Sequence, residues 1–328
     1  MPIEPHPRYV WRYQYPIGRS TNGTFVRLLE DRIVSSAFGH GLHALSCDGE
    51  LAWELRTEAD THFFAWQDRV LIGGESAQSL DARTGNVLAF RDAADTFRVM
   101  QPTSNTAVYW EYGSEGLSTG TFLGLNPKDF TLQWSIPDPK GSSRWFGDWY
   151  YQYDETASVV TVREPSAMTL RSEFPVDASL WYFMPKLAED VLVFRTDGVA
   201  RGIDAFDGRI LWTRTVGEGY GFNKVIDGTL YLLGEKLWSI EPRTGRDLWS
   251  LAVEAETNDL AVGADRVWVS TRNRRIRALD RRSGRVTVMP FSVGADVLKM
   301  WALSDDELVV LVLERGQVRE AVWRLVVR

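Results

Sequence analysis

The residues able to do chemistry are few and scattered. The four histidines are His6, His40, His43 and His62, and only His40 and His43 stand close together. The run His40-Gly41-Leu42-His43 could set two imidazole nitrogens near one metal ion. No clear carboxylate or thiol partner lies alongside, so a hairpin loop between two strands is the favoured reading. Ser, His and Asp are all available, but no nucleophile-elbow motif gathers them. No glycine loop leading into a helix is present to cradle phosphate. No catalytic residue, cofactor or metal is therefore expected.

Two denser clusters remain. Residues 272–285 hold seven Arg in 14 positions. One reading is an anion or acidic-partner patch. The favoured one is a solvated outer strand with Ile276 and Leu279 turned away from water. The second cluster is aromatic: Arg144-Trp145-Phe146-Gly147-Asp148-Trp149-Tyr150-Tyr151, Leu180-Trp181-Tyr182-Phe183-Met184, Gly219-Tyr220-Gly221-Phe222 and Thr61-His62-Phe63-Phe64. Trp, Tyr and Arg are common interface anchors. Arg144, Trp145, Phe146, Trp181, Tyr182, Tyr220 and Phe63 are the expected partner-binding residues. Packing at a channel mouth and a small-ligand site are the competing readings.

These clusters need elements to carry them. The chain has 328 residues, of which 44% are hydrophobic, enough to bury a large core without staples. Cys47 is the only cysteine, so no intrachain disulfide can form. The net charge of −7 sits in residues 1–164, with 14 Lys/Arg against 21 Asp/Glu, while residues 165–328 carry 23 of each. An acidic chain lacks the cationic face that general nucleic-acid binding needs. The first seven residues show neither a basic nor an apolar run, and no apolar stretch is long enough for a membrane helix. A cytoplasmic, monomeric protein that does not insert into membranes is expected.

Helical periodicity is nearly absent, and short alternating strands recur with turn residues between them. The clearest unit is Asp204-Ala205-Phe206-Asp207-Gly208-Arg209-Ile210-Leu211-Trp212, repeated at Glu241-Pro242-Arg243-Thr244-Gly245-Arg246-Asp247-Leu248-Trp249. The turns fall at 49, 85, 130, 168, 208, 245 and 284, a period near 40 residues that suits four strands per unit. Gly supplies the backbone a tight turn needs, and the preceding Asp, Glu, Thr or Ser can bond the turn. Trp53, Trp134, Trp212 and Trp249 each lie four residues after a turn, and Trp11 occupies the same place in an orphan N-terminal strand. These five are expected to pack between blades. The last unit lacks its fourth strand. The orphan strand Tyr9–Tyr13 should supply it and pair with Arg319–Val327, closing the ring. The expected fold is therefore one all-β domain over residues 1–328, an eight-bladed β-propeller of four-stranded antiparallel blades, with seven blades as the alternative.

This repeat resembles the pyrroloquinoline-quinone-like repeats of the quinoprotein-type propellers. The resemblance is strongest at residues 204–212 and 241–249, fair at 81–89 and 280–288, and poor near 164–172. It implies a fold more than a function. Enzymes of the family are quinone- and calcium-dependent dehydrogenases with longer loops over the cofactor, whereas the connections between blades here are only about five to eight residues. The resemblance also extends to non-catalytic propellers: accessory proteins of ATPase systems, toxin antidotes (immunity proteins) and an envelope lipoprotein that scaffolds outer-membrane protein assembly. The favoured expectation is a bacterial, non-catalytic scaffold that binds another protein. A quinone-dependent dehydrogenase and an envelope assembly scaffold are the alternatives.

Overall fold

The computed structural model describes residues 7–14, 25–29, 32–37, 41–56, 63–92, 96–103, 105–112, 120–137, 142–146, 149–154, 156–164, 167–176, 186–196, 198–217, 223–252, 257–271, 274–313 and 320–327. The described residues form 32 strands and no helix. The strands make eight antiparallel sheets of four strands each, an eight-bladed β-propeller, which excludes the seven-bladed alternative. Within blades 1 to 7 the strands a to d follow chain order. Blades 1 to 7 span residues 25–55, 63–92, 96–137, 142–175, 186–215, 223–252 and 257–292. Blade 8 takes strands a to c from Asp296–Ala302, Glu307–Leu313 and Glu320–Val327, and strand d from Pro7–Gln14. Pro7 pairs with Val327 and Gln14 with Ala321, so the orphan strand does complete the last sheet.

The chain divides into two compact units. One is Tyr15–Ser172. The other joins Met1–Gln14 to Glu173–Arg328. In both, strands b and c are the buried ones and strand d faces water. Val191, Leu192, Val193 and Phe194 of one strand b are all 0% exposed, whereas strand d of blade 5 alternates exposed and half-buried residues.

The seven expected turn positions all adopt the left-handed backbone. Gly49, Gly85, Gly208, Gly245 and Gly284 have φ between 68° and 83°, and Phe130 and Met168 do the same at 58° and 53°. An acidic side chain caps most of these turns. Asp81 Oδ1 accepts from the backbone of Arg83 and Thr84 and from the Thr84 hydroxyl. Glu241 does the same for Arg243 and Thr244. Asp280 takes the backbone and hydroxyl of Ser283. These hydrogen bonds hold all three carboxyls below the usual carboxylate range.

Strand d then bulges, and the bulge aims the Trp. In six blades the c–d register shifts within one residue of the Trp position. The residue facing Trp across strand c is always small: Ala44 opposite Trp53, Gly124 opposite Trp134, Gly202 opposite Trp212 and Ser239 opposite Trp249. A Cβ on Gly202 would lie 2.2 Å from the Trp212 ring. The other indole face covers the next blade's turn: a Cβ on Gly85, Gly245 or Gly284 would come within 2.7 Å of Trp53, Trp212 or Trp249. Each Nε1 then donates to the first carbonyl of that turn, Trp53 to Ala82, Trp212 to Pro242 and Trp249 to Arg281, at 2.6–2.9 Å. The Trp11 side chain lies outside the described residues.

Where Trp is missing, the turn changes to match. Blade 2 has Ala89 in place of Trp, and blade 3 turns at Phe130, whose ring packs in one cluster with Ala89, Leu71 and Tyr109. Phe130 is 3% exposed. Blade 4 has Ser172, and Phe174 covers the following turn instead, within 2.4 Å of where a Gly208 Cβ would lie.

Two expectations follow. Ala89→Trp should destabilise by overpacking against Phe130, and Phe130→Gly should cost about 3–5 kcal/mol as a cavity. The double variant should recover most of the loss in a denaturant midpoint; additive losses would mean that the two sites are not one lock. The cap carboxyls have lowered folded-state pKa values, so their contribution is complete above about pH 4 and fades as pH falls through the lowered values. The triple variant Asp81→Asn, Glu241→Gln, Asp280→Asn keeps acceptors that do not titrate. Its thermal midpoint should fall less between pH 5 and 2.5 than the parent's, and parallel curves would count against the caps.

Candidate functional site

Much of the expected aromatic face falls where side chains are not described. Arg144, Trp145 and Phe146 belong to strand a of blade 4, Ser142–Phe146, opposite Tyr151, Tyr150 and Trp149. The backbone there is described and the three side chains are not. Trp181, Tyr182 and Tyr220 lie outside the described residues altogether. Phe63 is a correction. It is 3% exposed and packs among Val34, Leu42, Val70 and Ile72, because strand a of blade 2 already begins at this residue. The same holds for part of the 144–151 cluster, since Tyr150 and Tyr151 are both fully buried in strand b.

His43 is not a loop residue either. It lies within strand c of blade 1, opposite Ser35, and is 2% exposed. Its neighbour His40 is outside the described residues. The Arg-rich run is strand c of blade 7 and the turn after it, not an outer strand. Ile276 and Leu279 are buried, Arg275, Arg282 and Arg285 face water, and Arg274 pairs with Asp296.

No motif announces what joins the inner strands of blades 6, 7 and 8. Lys224 on strand a of blade 6 meets Asp259 on strand a of blade 7, Nζ to Oδ1 at 2.5 Å. The same Nζ donates to Leu260 O at 2.7 Å. The other carboxylate oxygen accepts the Met300 backbone N–H of blade 8 at 2.8 Å. Asp259 is 1% exposed, and its own backbone is tied to Ser270 Oγ in both directions. Burial holds the Lys224 ammonium below its usual range, and the Asp259 charge works against that fall. Lys224 and Asp259 are 35 residues apart on different blades, with no motif between them.

This arrangement does not fit a calcium–quinone centre. The buried inner-strand carboxylate is already committed to an ammonium and a backbone N–H. Among the described residues no group of three or more His, Cys, Asp or Glu side chains could hold a metal ion.

The outer edge offers a different surface. Strand d of blade 2, Val87–Asp92, exposes Val87 at 52%, Leu88 at 46% and Phe90 at 61%. It is the last strand of its sheet, so one side of its backbone has no ladder partner within the blade. Leu51, Leu132, Leu170 and Ile210 repeat the first of these positions on other outer strands, at 45–56% exposure.

Capped left-handed turns, a bulged outer strand and an indole laid on the next blade recur through the eight-bladed β-propeller. Within the chain, residues 196–322 match the family model described as outer membrane protein assembly factor BamB. Among solved structures, BamB from Moraxella catarrhalis aligns over 97% of both chains at 12% identity with a TM-score of 0.61. The computationally designed Ika8 protein aligns over 94% of this chain and 98% of its own, at 13% identity and a TM-score of 0.69. A quinohemoprotein alcohol dehydrogenase, ADHIIG from Pseudomonas putida HK5, aligns over 98% of this chain and 76% of its own, at 12% identity and a TM-score of 0.63. Identities this low speak for the fold alone. No curated protein matches the chain in sequence.

Asp259→Asn should leave the Lys224 ammonium buried without its counter-charge, at a cost of about 3–5 kcal/mol. Lys224→Met combined with Asp259→Leu removes both charges and should cost less than Asp259→Asn alone. If the double variant is the less stable of the two in urea, the pair is a net source of stability.

Proposed function

We propose that this chain is a non-catalytic protein-binding scaffold. The observation that carries the reading is the outer strand Val87–Asp92, with three large apolar side chains in water on an unpaired sheet edge. Natural sheets blunt such edges with charge, proline or cover. An edge left open and apolar suits the addition of a partner's strand, where main-chain hydrogen bonds supply affinity and alternate side chains supply specificity. The match of residues 196–322 to a family described by protein assembly supports the same reading. We place the protein in the cytoplasm as a monomer until it meets its partner, in an accessory or toxin-antidote role. The aromatic segments around Trp145 and Trp181 are proposed as a second contact surface.

The test compares variants in binding to a partner recovered from the native host. Leu88→Lys with Phe90→Glu should weaken binding at least tenfold and leave the thermal midpoint within a few degrees, because both side chains are exposed. Trp145→Ala and Trp181→Ala should each weaken it while the fold holds. Loss of stability with unchanged affinity would assign those rings to packing. Full affinity in all variants would sink the scaffold reading at these surfaces. Quinone-dependent alcohol oxidation after addition of pyrroloquinoline quinone and calcium would favour the enzyme reading instead.

A further inference from the structure

A groove of about 450 Å³ opens between blades 6 and 7. Its floor is made by Tyr231 of strand b and Ser239 of strand c, its outer wall by Leu248 of strand d, and its far rim by Arg281 and Arg282 from the turn of blade 7. That volume lies within the range of small-ligand sites. Tyr231 and Ser239 are 0% and 1% exposed. Yet Tyr231 Oη and Ser239 Oγ have no hydrogen-bond partner among the described residues. Two buried hydroxyls left this way are costly unless something else meets them.

At this groove the residue facing the indole across strand c carries a hydroxyl. Ser239 holds the place of Gly124 and Gly202, where the indole lies so close that no Cβ fits. Trp249 still reaches Arg281 O at 2.7 Å and covers Gly284. Its ring stands 6.2 Å from that of Tyr231.

Two arginines stand at the rim, one of them paired with the Asp227 carboxylate. Arg281 uses Nη1 on Gly263 O and on Asp227, whose side chain is 71% exposed and already offers it a carboxylate. Arg282 is exposed and makes no ion pair with a described residue. Burial raises the Tyr231 hydroxyl above its usual range, the Asp227 carboxylate adds to the rise, and Arg281 and Ser239 work against it. The hydroxyl therefore keeps its proton and remains a donor.

We infer that this groove binds a carboxylate on an aliphatic stem, with the carboxylate accepting from Tyr231 Oη, Ser239 Oγ and the Arg281–Arg282 rim and the stem lying on Leu248. The inference stands apart from the scaffold reading, since it uses a different surface. The carboxylate has two possible sources, a free aliphatic acid and a glutamate side chain of a peptide, and both share this chemistry.

The experiment titrates the full chain with hexanoate, with the blocked dipeptide acetyl-Leu-Glu-amide and with inorganic phosphate, reading tryptophan fluorescence beside Tyr231. Saturable binding of hexanoate or of the dipeptide supports the site, and whichever binds tighter names the source. Tyr231→Phe keeps the ring, so it should weaken that binding five- to tenfold and leave the thermal midpoint unchanged or higher. Arg281→Gln should weaken it by a similar factor and reduce its dependence on salt. Three results overturn the inference: no saturation by either carboxylate at millimolar concentration, phosphate binding as tightly as the carboxylates, or a Tyr231→Phe variant that loses stability with affinity intact.

Discussion

An indole lies flat most easily on a surface of small residues, and much of this architecture follows from meeting that need twice for Trp53, Trp212 and Trp249. Strand c offers a small residue on one face, and the next blade's turn offers glycine on the other. The turn must then run through positive φ, which calls for an acidic cap to satisfy its backbone, and strand d must bulge to present the ring. The single Nε1 hydrogen bond fixes the slide of one blade along its neighbour. A change at any of these places is felt at the others, which is why Ala89 is accompanied by Phe130. Phe130 accepts a left-handed backbone, at about 1–2 kcal/mol, because its ring fills the room that a missing indole leaves.

That constraint also explains what could be read from the sequence. Turn chemistry is local, so Gly49, Gly85, Gly208, Gly245 and Gly284 announced themselves, while Trp134 and the pair Glu164-Pro165 marked the turns at Phe130 and Met168, where no glycine stands. The exchange of strands at blade 8 was legible because a missing strand at one end matched a spare one at the other. Beyond the indoles, contacts between blades were not legible. Nothing near Lys224 points to Asp259, and nothing near Tyr231 points to Arg281, because each pair is made by two repeats meeting side by side. Phe63 was misread for a related reason. An aromatic next to a connection looks like a rim residue until the first residue of the strand is known, and Phe63 is that residue.

The two edges of a blade carry different risks. Inner strands crowd together, so a charge there must be answered, as Asp259 is by Lys224, Met300 N–H and Ser270. Outer strands diverge, so an apolar residue there is tolerated by the fold and is free to serve contact. Val87, Leu88 and Phe90 could be polar without loss to the packing described here. The groove beside Tyr231 lies between these extremes, where blades have begun to separate but side chains are still buried.

The strand Pro7–Gln14 is made before the other described strands and is the last of them to meet its partner. At ordinary rates of synthesis, about 5–20 residues per second, its partner Glu320–Val327 leaves the ribosome roughly 15–60 s later. Throughout that interval each of the first seven sheets can form from consecutive strands, while the eighth cannot. The nascent chain therefore carries an unpaired strand as a tether that no early intermediate can satisfy with its native partner. A contact between the two ends of the chain has the largest loop to close and forms slowly. Synthesis that stops before Glu320–Val327 leaves that tether open, so the eighth sheet can be completed only after the strands of the other seven have been made.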